Sequence, residues 1–193
     1  ALMTRTMDGH RDGYRAPWWL PGGHLQTIYS VYLDGRYRVD YLRERWDTPD
    51  GDFIDLDWTD GDPEKPLLVL FHGLEGSSRS HYALSLMHAV RQLKWRGVVV
   101  LFRSCSGEIN KLPRAYHSGD SAEINWILRR LKSRHSPGKL YAVGISLGGN
   151  ALLKWLGEQG SAASGVLNRA CAVSAPVDLM AAGDALGRGF NLL

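Results

Sequence analysis

The stretch that decides the fold is Leu140-Tyr141-Ala142-Val143-Gly144-Ile145-Ser146-Leu147-Gly148-Gly149-Asn150, with Ala151, Leu152, Trp155 and Leu156 behind it. Leu140–Val143 is a short apolar run ended by glycine, which predicts a strand. The apolar positions after Asn150 recur at helical spacing. Between them lies G-x-S-x-G. A serine on so tight a strand-to-helix turn is held in strained backbone, and its hydroxyl is pushed out above the sheet. Gly144 and Gly148 flank it because strand and helix must approach with no Cβ between them. The amino end of the helix favours negative charge developing beside the serine. Five residues are a weak pattern on their own, and the strand–helix junction gives them weight. The plainer alternative is a glycine-rich turn with a capping serine.

The same alternation extends upstream. Leu67–Phe71 and Val98–Phe102 are continuously apolar, as strands covered on both faces are. Tyr82, Leu86, Ala89, Val90 and Leu93 repeat at helical spacing, as do Ile124, Ile127, Leu128 and Leu131. Ala170–Val173 predicts a last strand. Three strand–helix alternations mean right-handed crossovers and a mainly parallel sheet, hence an α/β fold. Tyr37, Val39 and Tyr41 alternate with Arg38 and Asp40, and Ile54, Leu56 and Trp58 with Asp55 and Asp57. With the turn Thr48-Pro49-Asp50-Gly51 between them, they predict an antiparallel hairpin at one sheet edge. Residues 1–35, with Pro17-Trp18-Trp19-Leu20-Pro21-Gly22-Gly23-His24 at their centre, predict an irregular N-terminal arm, and residues 36–193 part of one α/β domain. Trp18 and Trp19 either line an apolar entrance or pack the arm.

Composition narrows the class. The chain has 193 residues, 44% of them hydrophobic and 22% charged, and net charge +3, which suits one domain and excludes a disordered chain. No repeat is present, and no uncharged apolar run reaches the ~18 residues of a membrane span. Two cysteines make no disulfide framework, and no signal-peptide core precedes the domain, so a reduced cytoplasmic location is expected. Arg129, Arg130, Lys132, Arg134 and His135 form a basic helix end without interleaved aromatics, which reads as a solvated face and not a nucleic-acid surface. The oligomeric state is not legible.

Chemistry in such sheets sits beyond the carboxyl ends of the strands. After Leu67–Phe71 come His72-Gly73-Leu74-Glu75-Gly76-Ser77-Ser78. An acyl-transfer serine needs a second backbone N–H beside the one that follows it, aimed at the carbonyl oxygen. We expect those donors at Leu74 and Leu147, supported by His72 and Gly73. The loop has no phosphate-cradling G-x-x-x-x-G-K-[ST] pattern, and no ribose-binding acid supports nucleotide binding. A third loop runs from Arg103-Ser104-Cys105-Ser106-Gly107-Glu108 to Tyr116-His117-Ser118-Gly119-Asp120. A Cys105–His117 thiol couple is conceivable there, but nothing local marks the thiol as activated. Ser118 or Asp120 suits a helix cap. No histidine or cysteine has metal-site spacing, so no metal or organic cofactor is expected.

At these residues the chain resembles the YheT-like branch of the α/β-hydrolases, close to the eukaryotic abhydrolase-domain lipases and esterases. The likeness runs through Pro17–Thr27, His72–Ser78, Phe102–Glu108, Tyr116–Gly119, Gly144–Asn150 and Ser174-Ala175-Pro176. It implies a serine hydrolase of carboxylic esters with Ser146 as nucleophile, acting on a short- or medium-chain acyl ester or a lipid-like substrate without cofactor. An acyltransferase or thioesterase would use the same serine. Ser104 stands where the family has Gly. The fold's triad runs serine, acid, histidine in chain order, yet no histidine follows Ser146; Asp178 and Asp184 do follow it. With a first residue other than Met, this suggests a C-terminally truncated fragment that lacks the last strands, the acid and the histidine. Such a fragment would be inactive or nearly so, with an exposed apolar sheet edge. The alternative is a non-catalytic binding protein of the same fold.

Overall fold

The computed structural model describes residues 15–32, 37–135 and 138–187. The chain divides into two compact units, Ala1–Gly35 and Arg36–Leu193. In the first, helix α1 (Gly23–Tyr32) corrects the expectation of a wholly irregular arm. Pro17 and Leu20 close a turn, and the helix starts directly after Pro21-Gly22, with Gly22 at φ 78°. The dense Pro and Gly before it hide a ten-residue helix without Asp, Glu, Lys or Arg. Trp18 is 91% exposed, while Trp19 meets the Tyr29 ring edge-on at 5.1 Å.

The second unit is a six-stranded sheet in the order β1-β2-β4-β3-β5-β6. The strands are β1 (Leu42–Asp47), β2 (Phe53–Thr59), β3 (Leu67–Phe71), β4 (Arg96–Leu101), β5 (Leu140–Ile145) and β6 (Arg169–Val173). Helices α2 (His81–Gln92), α3 (Ser121–Arg134), α4 (Leu147–Gln159) and α5 (Leu179–Leu186) join or follow them, with a short 3-10 turn at Gly160–Gly165. β3 to β6 are parallel; β2 runs antiparallel to β4, and β1 antiparallel to β2.

The continuous apolar runs follow from burial on both faces. Leu67, Val69 and Phe71 of β3, and Val98 and Val100 of β4, join Ile124, Leu128, Leu152 and Trp155 in one core. Leu68, Leu70, Val99 and Leu101 join Ala83, Met87 and Val90 of α2 in the other. α2 therefore covers one face, and α3 with α4 the opposite one.

The hairpin is real, but its first strand is not where alternation placed it. Residues 37–41 are irregular, and β1 begins at Leu42. Val39 and Tyr41 are apolar in alternation because they pack into the α2-side core, and Tyr37 because it stacks on His88 at 4.4 Å. The true strand hides behind charge. Arg43 and Arg45 grip Asp57 and Asp55 of β2 in bidentate pairs at 2.8–3.0 Å. All seven β2 residues are consequently buried, where a half-buried strand was expected. The basic helix end is no idle solvated face either: Arg130 and Arg134 lie over the Trp46 ring at 4.4 and 5.4 Å, and Arg134 pairs with Glu44.

Candidate functional site

The strand order reverses between β3 and β5. β3 leads through α2 to β4 on one side, and α3 then carries the chain back across to β5 on the other. Loops at the carboxyl ends of two strands flanking such a switch point diverge and leave a crevice. The loops there are His72–Ser80 after β3 and Ser146 after β5.

Ser146 occupies φ 50°, ψ −116°, backbone that serine rarely adopts, between the end of β5 and the start of α4. Two hydrogen bonds hold it there. Its N–H donates to Val173 O at 2.9 Å, and its carbonyl accepts from Asn150 N–H at 2.9 Å. The Asn150 amide donates to Pro176 O at 2.7 Å, which ties the loop after β6 to the same helix. The glycines are required by contact. A Cβ on Gly144 would lie 2.6 Å from Gly148 O, and one on Gly148 would lie 2.4 Å from Phe71 O. Gly73 brings the β3 loop against the serine: a Cβ there would sit 3.2 Å from Ser146 Cβ and 3.9 Å from its Oγ.

His72 shapes this loop. Fully buried, it accepts from Phe102 N–H through Nε2 at 3.1 Å, so its Nδ1 carries the proton donated to Gly73 O at 2.7 Å. Burial pushes its pKa down to about 4. The ring is thus a neutral brace between the loop and β4, with both nitrogens engaged. Among the described side chains no histidine hydrogen-bonds Ser146.

The backbone donors of the loop are almost all engaged. Gly73 N–H donates to Tyr82 Oη at 3.1 Å, Glu75 N–H to Tyr116 Oη at 2.7 Å, Gly76 N–H to Gly73 O at 3.1 Å and Ser77 N–H to Ser80 Oγ at 3.0 Å. Among the described residues Leu74 N–H has no such partner. Neither has Leu147 N–H, which opens α4 where no intrahelical acceptor exists. Leu74 and Leu147, the donors expected from the sequence, are thus among the unengaged N–H groups of these two loops, with Ser78, Gly148 and Gly149.

Cys105 and His117 do not form a couple. Burial pushes the Cys105 thiol pKa up. His117 is exposed and turned toward Ser118 O at 2.8 Å. Asp120 caps α3 by accepting from Glu123 N–H at 3.3 Å, and Asp178 caps α5 by accepting from Ala181 N–H at 2.9 Å. Among the described residues no three His, Cys, Asp or Glu side chains are placed to hold a metal ion, and no helix is long and apolar enough to cross a membrane.

Sequence reasoning missed the hub that fixes the loop after β4. Arg103, 2% exposed, binds Glu123 at 3.0 Å, Asp52 at 3.1 Å and Asp50 at 3.0 Å. Burial alone would raise the Asp52 pKa, but hydrogen bonds from Asn110 and from the N–H groups of Lys111, Phe53 and Leu112 hold it down. Ser104 beside it sits at φ 63°, the conformation that explains why glycine suits this position. No local pattern announces these long-range partners.

No family model matches the chain. It is 40% identical over 171 residues to YheT of Escherichia coli K12, a protein provisionally named an esterase, which covers 87% of this chain and 50% of that one. The chain belongs to the YheT-like α/β-hydrolase family. Human phospholipase ABHD3 is 31% identical over 151 residues, covering 74% of this chain and 37% of that one. A monoacylglycerol lipase of Saccharomyces cerevisiae is 30% identical over 204 residues, 83% and 45% respectively. The chain spans half the length of these relatives or less. Among solved structures, the Pyrococcus furiosus esterase Pf2001 matches with TM-score 0.62 at 19% identity, over 79% of this chain and 58% of that one. A serine hydrolase homologue from Coxiella burnetii matches with TM-score 0.55 at 16% identity, over 74% and 66%. These likenesses establish the α/β-hydrolase fold, with the antiparallel pair on its β1 edge.

Proposed function

We propose that this YheT-like chain carries the nucleophile half of a serine hydrolase of carboxylic esters. One observation carries the reading: Ser146 is held at φ 50° on the strand–helix turn, and the β3 loop, whose Leu74 N–H is unengaged, lies against it. Ser146 Oγ attacks the ester carbonyl. The N–H groups of Leu74 and Leu147 receive the developing oxyanion, which such donors stabilise most where charge appears in the transition state. The alcohol leaves, and water releases the acyl group from the serine. Serine needs a base for this. His72 cannot serve, because both ring nitrogens are engaged. No histidine follows Ser146 in the sequence. In this reading the histidine and the acid lie outside these 193 residues, which span half the length of the relatives or less. The ester substrate bears a short or medium acyl chain or is lipid-like, in keeping with the lipase and phospholipase names of relatives. A cytoplasmic location fits the two free cysteines.

The absence of any described histidine contact to Ser146 favours a second reading, a binding protein on the same fold. Hydrolysis of p-nitrophenyl butyrate by the natural gene product decides between them. Turnover that disappears in Ser146→Ala supports the hydrolase; equal rates in both proteins, or none in either, reject it.

A further inference from the structure

Resting on that reading of Ser146 and Leu74, we propose that Tyr116 is a positioning residue for the oxyanion hole, with its hydroxyl fixing the loop that carries Leu74 N–H. Tyr116 comes from the loop before α3, 41 residues further along the chain, yet its Oη accepts the Glu75 N–H at 2.7 Å. The ring has no freedom to wander. It stacks on Phe102 at 5.4 Å with planes 5° apart and meets the His72 ring edge-on at 6.3 Å.

Glu75 needs such an anchor. It stands at φ 50°, a conformation that costs a non-glycine residue roughly 1–2 kcal/mol. The strain persists only because its surroundings over-determine it. His72 and Tyr82 hold the loop on the Gly73 side of Leu74; beyond it the Gly76 N–H closes the turn on Gly73 O, and the Tyr116 hydroxyl is the partner of the Glu75 N–H itself. Without the hydroxyl, the turn Gly73–Gly76 keeps only its Gly76 N–H to Gly73 O bond, the strained Glu75 is freer to relax, and the peptides on either side of Leu74 tilt with it. The free N–H then no longer points where the oxyanion forms. A donor misplaced by even a fraction of its length loses most of its transition-state stabilisation, while ground-state binding of the ester is untouched.

The test uses the natural gene product and p-nitrophenyl butyrate, with Ser146→Ala as control. Tyr116→Phe keeps the ring stack and removes only the hydroxyl. We expect kcat to fall between about tenfold and a hundredfold, KM to stay within about twofold, and the melting temperature to hold. Glu75→Pro, which removes the N–H that this hydroxyl accepts and forbids φ 50°, is expected to cost kcat at least as much at unchanged KM. It serves as the test should Tyr116→Phe fail to fold. If both variants keep the wild-type kcat, or lose only in KM, while Ser146→Ala is inactive, the positioning role is wrong and the serine reading survives. If Ser146→Ala keeps the wild-type rate, the serine reading fails and takes this inference with it.

Discussion

Gly148→Ala is the most demanding test of the turn that holds Ser146. A methyl built on Gly148 meets Phe71 O at 2.4 Å, His72 O at 2.5 Å and Phe71 C at 2.7 Å. Real Cβ atoms do not approach this closely, and every one of these neighbours is backbone of β3 or the residue after it. No side chain can rotate away. The amino end of α4 must lift off β3, or β3 must move, and either shift disturbs a sheet buried on both faces. Overpacking a core costs about 1–3 kcal/mol where side chains give way. With only backbone to yield, we expect about 3 kcal/mol or more. For a domain of this size that is a melting-point loss of roughly 6–12 °C. Gly157→Ala, in the same helix, is the control. Nothing lies within 4 Å of its added methyl, and its φ is not in the left-handed range, so helix propensity alone should act. That variant should gain about 0.5–1 kcal/mol. Urea unfolding of both variants against wild type measures the pair. A Gly148→Ala protein within about 1 kcal/mol of wild type would refute the reasoning, because the helix would then not be seated on β3 as described.

Three further outcomes follow from the structure. His72 is neutral and buried with its pKa near 4, so stability should be full above pH 6.5 and fall as pH drops toward 4, because the unfolded chain takes up the proton first. The full effect is about 3 kcal/mol, and a His72→Gln variant whose stability between pH 7 and 4.5 slopes as steeply as wild type would contradict it. Arg103→Met takes the buried cation from Asp52 and Glu123, leaving them to the Asn110 and backbone N–H bonds and to Arg114, and should cost about 3 kcal/mol by urea unfolding; a neutral result would show that the hub does not hold the β4 loop. Ser104→Gly should stabilise by up to about 1 kcal/mol, since glycine tolerates φ 63° and the serine hydroxyl makes only long contacts to Asn110 at 3.4–3.5 Å; a loss above 1 kcal/mol would mean those contacts matter more than the strain.

The parallel half of the fold is legible because its strands are apolar on both faces and its helices on one. Leu67–Phe71 and Leu140–Val143 could hardly be placed elsewhere. β1 was displaced by five residues because period-two patterning cannot tell Tyr37, Val39 and Tyr41, which pack as separate side chains, from a strand whose alternate positions are arginines paired with buried aspartates. Helix α1 was hidden by its Pro- and Gly-rich approach. Ser146, Leu147 and the glycines are local geometry and are written in five consecutive residues. Tyr82, Tyr116 and Arg103 reach their partners across the fold, and their roles exist only once the loops are brought together. Tyr116 lay inside a motif that was visible, but its neighbours read as the start of a helix.

Fluorophosphonate labelling of the natural gene product, followed by peptide mapping, tests the central claim most directly. The account predicts one label, on Ser146, that disappears in Ser146→Ala. An unlabelled Ser146, in a sample where an active serine hydrolase added as a standard is fully labelled, would contradict it.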